Sequence, residues 1–298
     1  MAIDECLRAS FSWLDQLRVY LPNKPKPYGE KFICCVDDQL YLHKMLVQYP
    51  AQFSTWTGLA DLMEQAVPNN FFNCGVSIIA DNHFLTGDIV EQFHKKHMSV
   101  LCTFRKDRAK KVMGKNLFDA CIKKQPRSRF RKKIEIYERQ LSFGHQQYIQ
   151  FLFHHDKSSK VPVLFATNDP RLMNTDQGTN ISKNLSRNEK PPVSTKYNKN
   201  MFFVDQLDQS ISAYTIAAPY GNKRWIRRFI TNLFDFSVHN TFVLYKQFVL
   251  EHRADHAIFL KLIKGKRLHN YFMHQLRNGL LKTKINPPSL TTMTHIPI

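Results

Sequence analysis

Short apolar runs that end in acidic residues alternate with segments of helical spacing along the first hundred residues. The run ICCVDD is brief, apolar and sharply bounded, as is typical of a buried strand, and IIAD repeats the pattern. Cap-type residues followed by apolar positions at helical spacing indicate helices between these runs. We predict strands over residues 30–38, 39–49, 75–84 and 98–104, and helices over 54–67 and 86–97. This order predicts an α/β fold with a mixed sheet and crossover connections.

The chain changes character after residue 104. Two blocks dense in Lys and Arg, residues 105–115 and 123–133, precede a further predicted strand over 161–169. Residues 170–200 are polar and rich in Asn and Ser, so we expect a loop or disorder there. Helical spacing resumes over 225–250 and, more weakly, over 256–276.

Charge and composition restrict the class of partner. The chain has 298 residues, of which 43% are apolar, and 43 basic residues against 24 acidic ones give a formal net charge of +19. Such a field attracts polyanions such as nucleic acid. No apolar run approaches 18 residues and the N-terminus lacks a signal-peptide pattern, so we expect no membrane partner and an intracellular location. The six cysteines form no CxxC pair, so no zinc site is expected.

Acidic residues mark the ends of separated elements. Asp37 and Asp81 each follow a predicted buried strand, and Asp205 and Asp208 stand three positions apart at the start of a predicted helix. Acids at strand ends of an α/β sheet lie where ligands usually bind, and clustered carboxylates need a cation such as Mg²⁺ or Mn²⁺. The alternative for the helical pair is a solvated helix face, and strand-end acids are common.

Several stretches together resemble the piggyBac family of DNA transposases and the host proteins derived from them. AIDECL followed by RVYLPNKPKPYGEKFICCVDD is similar to the start of the family's catalytic domain. VSIIADNHF resembles its second acidic motif, and KYNKNMFFVDQLDQSISAY resembles its third. KRWIRRFITNLFDFSVHNTFVLY resembles the helix that follows, so the resemblance extends from residue 2 to about 250.

The resemblance implies a ribonuclease H-like fold with an insertion and C-terminal helices. It implies catalytic roles for Asp37, Asp81 and Asp205, with Asp208 as a fourth acid, and a metal site of two Mg²⁺ or Mn²⁺ ions formed by these four. In this family the metals drive nicking, hairpin formation on the transposon end and joining at TTAA targets. The expected partner is double-stranded DNA, and the expected location is the nucleus.

Basic and aromatic residues are candidate DNA contacts. Arg105 could pair with phosphate, and Trp225 could stack on a base, although a buried aromatic at a helix start is an equal alternative. The second basic block could bind phosphate or serve as a nuclear-localisation patch, and a solvated loop is the alternative. The candidate set is Arg105, Lys123, Lys124, Arg127, Arg129, Arg131, Lys132, Lys133, Arg224 and Trp225.

Departures from the family pattern leave three functions open. Phe202 and Phe203 stand where the family usually has two glycines, and we expect the end-recognition regions and the cysteine-rich tail to be absent. The chain is therefore an active transposase core, a non-catalytic DNA-binding descendant, or a truncated remnant. A homodimer or a full-length transposase partner could supply the missing regions. We predict a catalytic core in 1–106 and 193–250, a basic insertion and flexible loop in 107–192, and a C-terminal helical region and tail in 251–298.

Overall fold

The computed structural model describes most of the chain as strands and helices around one mixed sheet. The described residues are 1–10, 12–22, 24, 26–48, 56–116, 118–119, 134–143, 145–154, 163–169, 172, 192–215, 225–252, 269, 272–274 and 276–279. The strands are β1 (Ala2–Ala9), β2 (Arg18–Tyr20), β3 (Tyr28–Val36), β4 (Leu42–Val47), β5 (Ser77–Ala80), β6 (Ser99–Thr103), β7 (Ile134–Phe143), β8 (His145–His154) and β9 (Val163–Thr167). The helices are α1 (Trp56–Ala66), α2 (Gly87–Lys95), α3 (Lys106–Met113), α4 (Pro192–Met201), α5 (Phe203–Tyr214) and α6 (Trp225–His252), with a 3₁₀ turn at Asn69–Phe71.

The sheet combines antiparallel hairpins with a parallel centre. Its order is β2-β3-β1-β5-β6-β9-β8-β7, and β4 also pairs with β3. Strand β1 is antiparallel to β3 and parallel to β5, and β5 is parallel to β6. A helix connects each parallel step along the chain, as crossover connections require. The α/β class with a mixed sheet is therefore confirmed.

Alternate residues of the central strands build two separate cores. One face carries Ile3, Ile33, Ala80 and Cys102, which pack against the apolar residues of α1 and α2. The opposite face, which we call the site face, carries Ile79, Leu101 and Phe165, packed against Val193 and Tyr197 of α4. Because side chains alternate along a strand, every even-numbered residue of β1 from Ala2 to Arg8 points to the site face.

The elements predicted from hydrophobic pattern agree with the structure, with two kinds of exception. Strands β1, β2, β7 and β8 were not predicted, because acids, Gln and His interrupt their apolar positions. The prediction of a loop over all of 170–200 is wrong at its end, where α4 begins at Pro192. Val193 and Tyr197, four positions apart, give this polar helix the buried stripe that stabilises it. Most of 256–276 lies outside the described residues.

Two compact units divide the chain, residues 1–235 and 236–298. In the second, the aromatic rings of Phe242, Tyr245, His269 and Phe272 pack together, with centroids 4.3 Å apart for Phe242 and His269. Strand β9 lies within the predicted insertion 107–192 and pairs with β6, and the predicted four-part division otherwise stays a prediction. Within the described ranges, no helix is long and apolar enough to cross a membrane.

Gly29 is the point where β3 approaches β1 most closely. A Cβ built there would lie 2.4 Å from the backbone oxygen of Arg8, inside any tolerable contact. We expect Gly29→Ala to lower the free energy of unfolding by about 3 kcal/mol, because the two strands must move apart. Urea denaturation measures this, with Gly279→Ala as the matched control, since a Cβ there meets nothing within 4 Å. Equal stability of the two variants would contradict the close approach.

Candidate active site

The register of β1 against β5 places two aspartates side by side. Ile3 pairs with Ala80 in parallel register, so the next residues along the two strands, Asp4 and Asp81, occupy adjacent positions. Both lie on the site face, two residues after Ala2 and Ile79. The charges of Asp81 and Asp4 both act on the phenol of Tyr197, in agreement with their positions on neighbouring strands.

Helix α5 brings a third carboxylate to this position. Its buried residues Val204, Leu207 and Ile211 pack toward the sheet, and the helix contacts β1 and β3. Asp205 in its first turn lies near enough to Asp4 for its charge to raise the pKa of that carboxyl. Asp4, Asp81 and Asp205, from three separate elements, therefore lie in the same region of the site face.

Asp4 has the most perturbed ionisation of the three. Burial is the main cause that raises its pKa from 3.8 to about 7, the negative charges of Asp205 and Glu5 act in the same direction, and the hydrogen bond from the Glu5 backbone N–H opposes them. Lys24, in the loop between β2 and β3, offsets part of this charge, since its Nζ lies 3.9 Å from Asp205 Oδ1. The site therefore concentrates more negative charge than its immediate surroundings neutralise.

Hydrogen bonds fix the position of Asp81. Thr103 Oγ1 donates to Asp81 Oδ1 at 3.2 Å and lies 3.1 Å from the hydroxyl of Tyr197. The loop that follows Asp81 is held by Arg108, whose Nη1 donates to the backbone oxygens of Asn82 at 2.8 Å and Leu85 at 2.7 Å. The carboxylate thus stands on a rigid strand end, as a catalytic group requires.

Asp37 does not belong to this cluster, contrary to the expectation from sequence. Strands β1 and β3 are antiparallel and Ala2 pairs with Val36, so Asp37 lies beyond the start of β1, whereas Asp4 is opposite Cys34, three positions before Asp37. Its Oδ1 accepts hydrogen bonds from the backbone N–H groups of Gln39 and Tyr41, and its Oδ2 lies 2.8 Å from His43 Nε2. Asp37 thus organises the turn between β3 and β4. Asp4 occupies the position beside Asp81 that the sequence analysis expected for Asp37.

Asp208 forms an ion pair with a cation of the protein. Arg8 Nη1 lies 3.0 Å from Asp208 Oδ1 and 3.2 Å from Ser212 Oγ, and Arg8 Nη2 lies 3.3 Å from Asp235 Oδ2. The thiol of Cys6 also lies 3.6 Å from Asp208 Oδ1. Because Arg8 already compensates its charge, Asp208 does not need the metal ion that the sequence predicted for it.

The two phenylalanines at the start of α5 fit the fold without strain. Phe202 precedes the helix with φ −82° and ψ 1°, a conformation open to any L-residue, and its side chain is exposed. Phe203 is buried and forms part of the apolar stripe of α5. The loss of the family's glycines therefore does not disrupt this helix start.

The carboxylates suit a divalent cation chemically. Oxygen donors of this type bind Mg²⁺ or Mn²⁺, and a cation would remove the repulsion between Asp4 and Asp205 that raises the pKa of Asp4. Among the described residues, no three His, Cys, Asp or Glu side chains lie close enough together to form a complete metal site. The donor set fits the ion, with Asp4, Asp81 and Asp205 as the residues that would hold it.

The predicted DNA contacts are placed only in part. Arg105 precedes α3 with its side chain exposed, and its Nε donates to Asn82 Oδ1 at 3.3 Å, next to Asp81. Trp225 is half-buried at the first position of α6 and lines an open apolar pocket of about 690 Å³. The other candidates lie outside the described residues: Lys123, Lys124, Arg127, Arg129, Arg131, Lys132, Lys133 and Arg224.

Comparison with known proteins agrees with this arrangement. The family model described as Transposase IS4 matches residues 1–242. The chain belongs to this transposase family. A cryo-EM structure of the piggyBac transposase synaptic complex with hairpin DNA has the same fold, with a TM-score of 0.65 and 20% sequence identity. That match covers 97% of this chain and 54% of the other, so the chain spans about half the length of the relative.

These findings confirm the resemblance on which the sequence analysis relied. The fold is α/β and ribonuclease H-like, as in the catalytic part of a piggyBac transposase. Transposases of this class depend in general on divalent metal ions. Sequence reasoning missed Asp4, although AIDECL stood within the first motif, because the acid follows only two apolar residues and no long buried run.

The raised pKa of Asp4 makes stability depend on pH. Its folded pKa of about 7 exceeds the unfolded value of 3.8, so the folded state binds more protons between these values. The contribution of Asp4 is therefore fully present below pH 4 and is lost as pH rises through 7. We expect Asp4→Asn to flatten this decline in denaturant-melt stability between pH 4 and pH 8. Asp61→Asn, which alters an exposed acid of α1, should leave the profile unchanged.

Arg8 is expected to be essential for the docking of α5. Its side chain and that of Asp235 are 7% and 2% exposed, so removing the guanidinium takes away a cation that lies 3.3 Å from a buried carboxylate. We expect Arg8→Ala to lower the free energy of unfolding by about 3 to 5 kcal/mol. Arg18→Ala, on the edge strand β2, is the control and should cost far less. An unfolding midpoint equal to the parent's would show that the ion pair contributes nothing.

Proposed function

We propose that this protein is the catalytic portion of a piggyBac-type DNA transposase that cleaves and transfers DNA strands. The observation that supports this most directly is the convergence of Asp4, Asp81 and Asp205 from two parallel strands and one helix. Burial and, to a lesser extent, the charge of Asp205 raise the pKa of Asp4, and a divalent cation would compensate that carboxylate. Family membership supplies the reaction class, and the carboxylates supply the residues for it.

Some of these residues would bind the metal ions and the DNA, and others position the carboxylates. Asp4, Asp81 and Asp205 would hold the divalent ions, which when bound activate the attacking oxygen and stabilise the leaving oxygen of a phosphodiester. Thr103 and Tyr197 hold Asp81 in place from the side of α4. Arg105, exposed beside the loop after Asp81, would pair with a DNA phosphate. Water is the nucleophile for nicking, and a 3′-hydroxyl is the nucleophile for strand transfer.

The net charge of the chain also indicates its partners and its location. A net charge of +19 favours double-stranded DNA as the substrate and a nuclear location. We propose that a second copy of the chain, or a full-length transposase, cooperates with this core in recognising DNA ends. The related piggyBac structure is a synaptic complex with hairpin DNA, which is an assembly of that kind.

One observation favours a second function, that of a DNA-binding descendant without catalysis. Lys24 Nζ lies 3.9 Å from Asp205 Oδ1 and its charge also acts on Asp4, so a protein cation partly takes the place of a metal ion. If Lys24 keeps its place, the charge of Asp205 and Asp4 is partly compensated without metal. DNA binding by the basic surface would then remain as the retained activity.

Calorimetric titration with Mn²⁺ and Mg²⁺ distinguishes these functions. We expect the parent protein to bind Mn²⁺, and Asp4→Asn and Asp205→Asn each to lower the affinity at least tenfold, because each removes one carboxylate. Asp37→Asn is the matched control and should change the affinity less than threefold. Asp4→Asn should also abolish Mn²⁺-dependent nicking of supercoiled plasmid, a substrate that needs no transposon end.

The opposite outcomes are equally informative. Loss of Mn²⁺ binding in Asp37→Asn, with Asp4→Asn unaffected, would contradict the assignment of the carboxylates. An absence of metal binding in the folded parent, together with retained DNA binding in EDTA, would favour the non-catalytic descendant. Lys24→Ala should then restore Mn²⁺ binding if this lysine is what neutralises the site.

A further inference from the structure

Two tyrosines lie exposed at the hairpin formed by β2 and β3. Tyr20 and Tyr28 are directly opposite each other across the two strands, with ring centroids 4.8 Å apart and an interplanar angle of 38°. Tyr20, on the three-residue edge strand β2, is 57% exposed, and Tyr28, at the start of β3, is 47% exposed. A pair of large aromatic rings left half in water presents an uncovered π surface.

A guanidinium adds positive charge to the tyrosine pair. Arg18 lies two residues before Tyr20 on β2, and its Cζ is 4.9 Å from the centroid of the Tyr28 ring. A cation over one ring polarises the pair and provides a contact for a phosphate near the rings. We call Arg18, Tyr20 and Tyr28 the hairpin platform.

The hairpin platform lies on the same side of the sheet as the carboxylates. Even-numbered residues of β3 share one face, so Tyr28 points to the same side as Cys34, which is opposite Asp4 in β1. The Ser10 backbone N–H donates to the Tyr28 oxygen at 3.1 Å, so the platform is six residues along β1 from Asp4, about 20 Å. Lys24, in the loop of the same hairpin, reaches Asp205.

The chemistry of this surface matches an unpaired nucleobase. Every base has a π face that stacks on an aromatic ring, and the adjacent phosphate is anionic, which suits Arg18 and a strongly basic chain. In a regular duplex the bases are stacked on one another and their faces are inaccessible. A distance of about 20 Å is the length of a few nucleotides of extended strand.

We propose that the hairpin platform stacks an unpaired base of the DNA strand whose phosphodiester occupies the carboxylate site. The proposal rests on the proposed function, because it requires DNA as the substrate. It adds a second contact for the strand, through stacking instead of charge. The platform thereby favours DNA that is single-stranded or distorted near the cleaved bond.

Fluorescence anisotropy with labelled 20-nucleotide single-stranded DNA, in EDTA, tests this without any catalysis. We expect Tyr20→Leu to weaken single-strand binding about tenfold, in the range that removal of one stacking aromatic produces. Tyr20→Phe should keep the parent affinity, because it preserves the ring. Tyr41→Leu, at the opposite end of β3, is the matched control and should bind as the parent does.

Two further readouts separate stacking from charge and from misfolding. The slope of log affinity against log salt should be the same for Tyr20→Leu and the parent, because no cation is lost. Affinity for a blunt duplex of the same length should fall less than twofold. Equal losses for single strand and duplex, a loss in Tyr20→Phe as large as in Tyr20→Leu, or unchanged single-strand affinity in Tyr20→Leu would each overturn the proposal.

The test also distinguishes this inference from the proposed function. Single-strand binding in EDTA needs no metal site, so a chain that fails to bind Mn²⁺ can still show the loss in Tyr20→Leu. That result would reject catalysis and keep the hairpin platform. Mn²⁺ binding that depends on Asp4, with unchanged DNA affinity in Tyr20→Leu, would keep the catalytic assignment and reject the platform.

Discussion

The docking of helix α5 onto strand β1 depends on one arginine. Arg8 hydrogen-bonds to Asp208 and Ser212 of α5 and to Asp235 of α6, all through one buried guanidinium. Side chains of β1 on one face repeat every two residues, about 7 Å, and positions three or four apart on a helix repeat every 5 to 6 Å. Asp4 and Cys6 are therefore spaced closely enough to lie near Asp205 and Asp208 respectively, and Arg8, four residues or about 13 Å from Asp4, reaches Asp208 through its long side chain. An ion pair at one end of the contact thus fixes the position of a carboxylate at the other.

This arrangement gives the two acids of α5 different tasks. Asp208 is neutralised by Arg8 and stabilises the fold, whereas Asp205 is half-exposed and faces a buried Asp4. A second buried carboxylate, Glu30, lies in register with Arg8, accepts a hydrogen bond from Asn232, and has its pKa raised to about 7 by burial. The space between β1, β3 and the following helices is therefore polar and tightly coupled. A change in the charge of one carboxylate therefore changes the pKa of its neighbours.

The assignment of the candidate site depends on which of two neighbouring strands carries the acid that lies beside Asp81. Asp37 and Asp4 are both acids beside apolar runs, and the sequence alone favoured Asp37 because its run is longer. The antiparallel register of β1 and β3 then decides between them, since Asp4 is opposite Cys34 and Asp37 lies three positions further along the chain, beyond the start of β1. Parallel pairing of β1 with β5 brings Asp4, and not Asp37, beside Asp81. No property of the residues themselves distinguishes the two.

Local sequence determined the central strands and the helices α1, α2, α5 and α6, because hydrophobic periodicity is a local property of the chain. It determined that Asp205 and Asp208 share one face of a helix. It also determined the family, since motifs are contiguous stretches. Only the tertiary structure decided that β1 is a central strand, that Arg8 neutralises Asp208, and that Tyr20 and Tyr28 form one exposed surface. Each of these depends on residues far apart in the chain, up to 227 positions for Arg8 and Asp235. Strand register and burial determine such contacts, and neither can be derived from the local sequence.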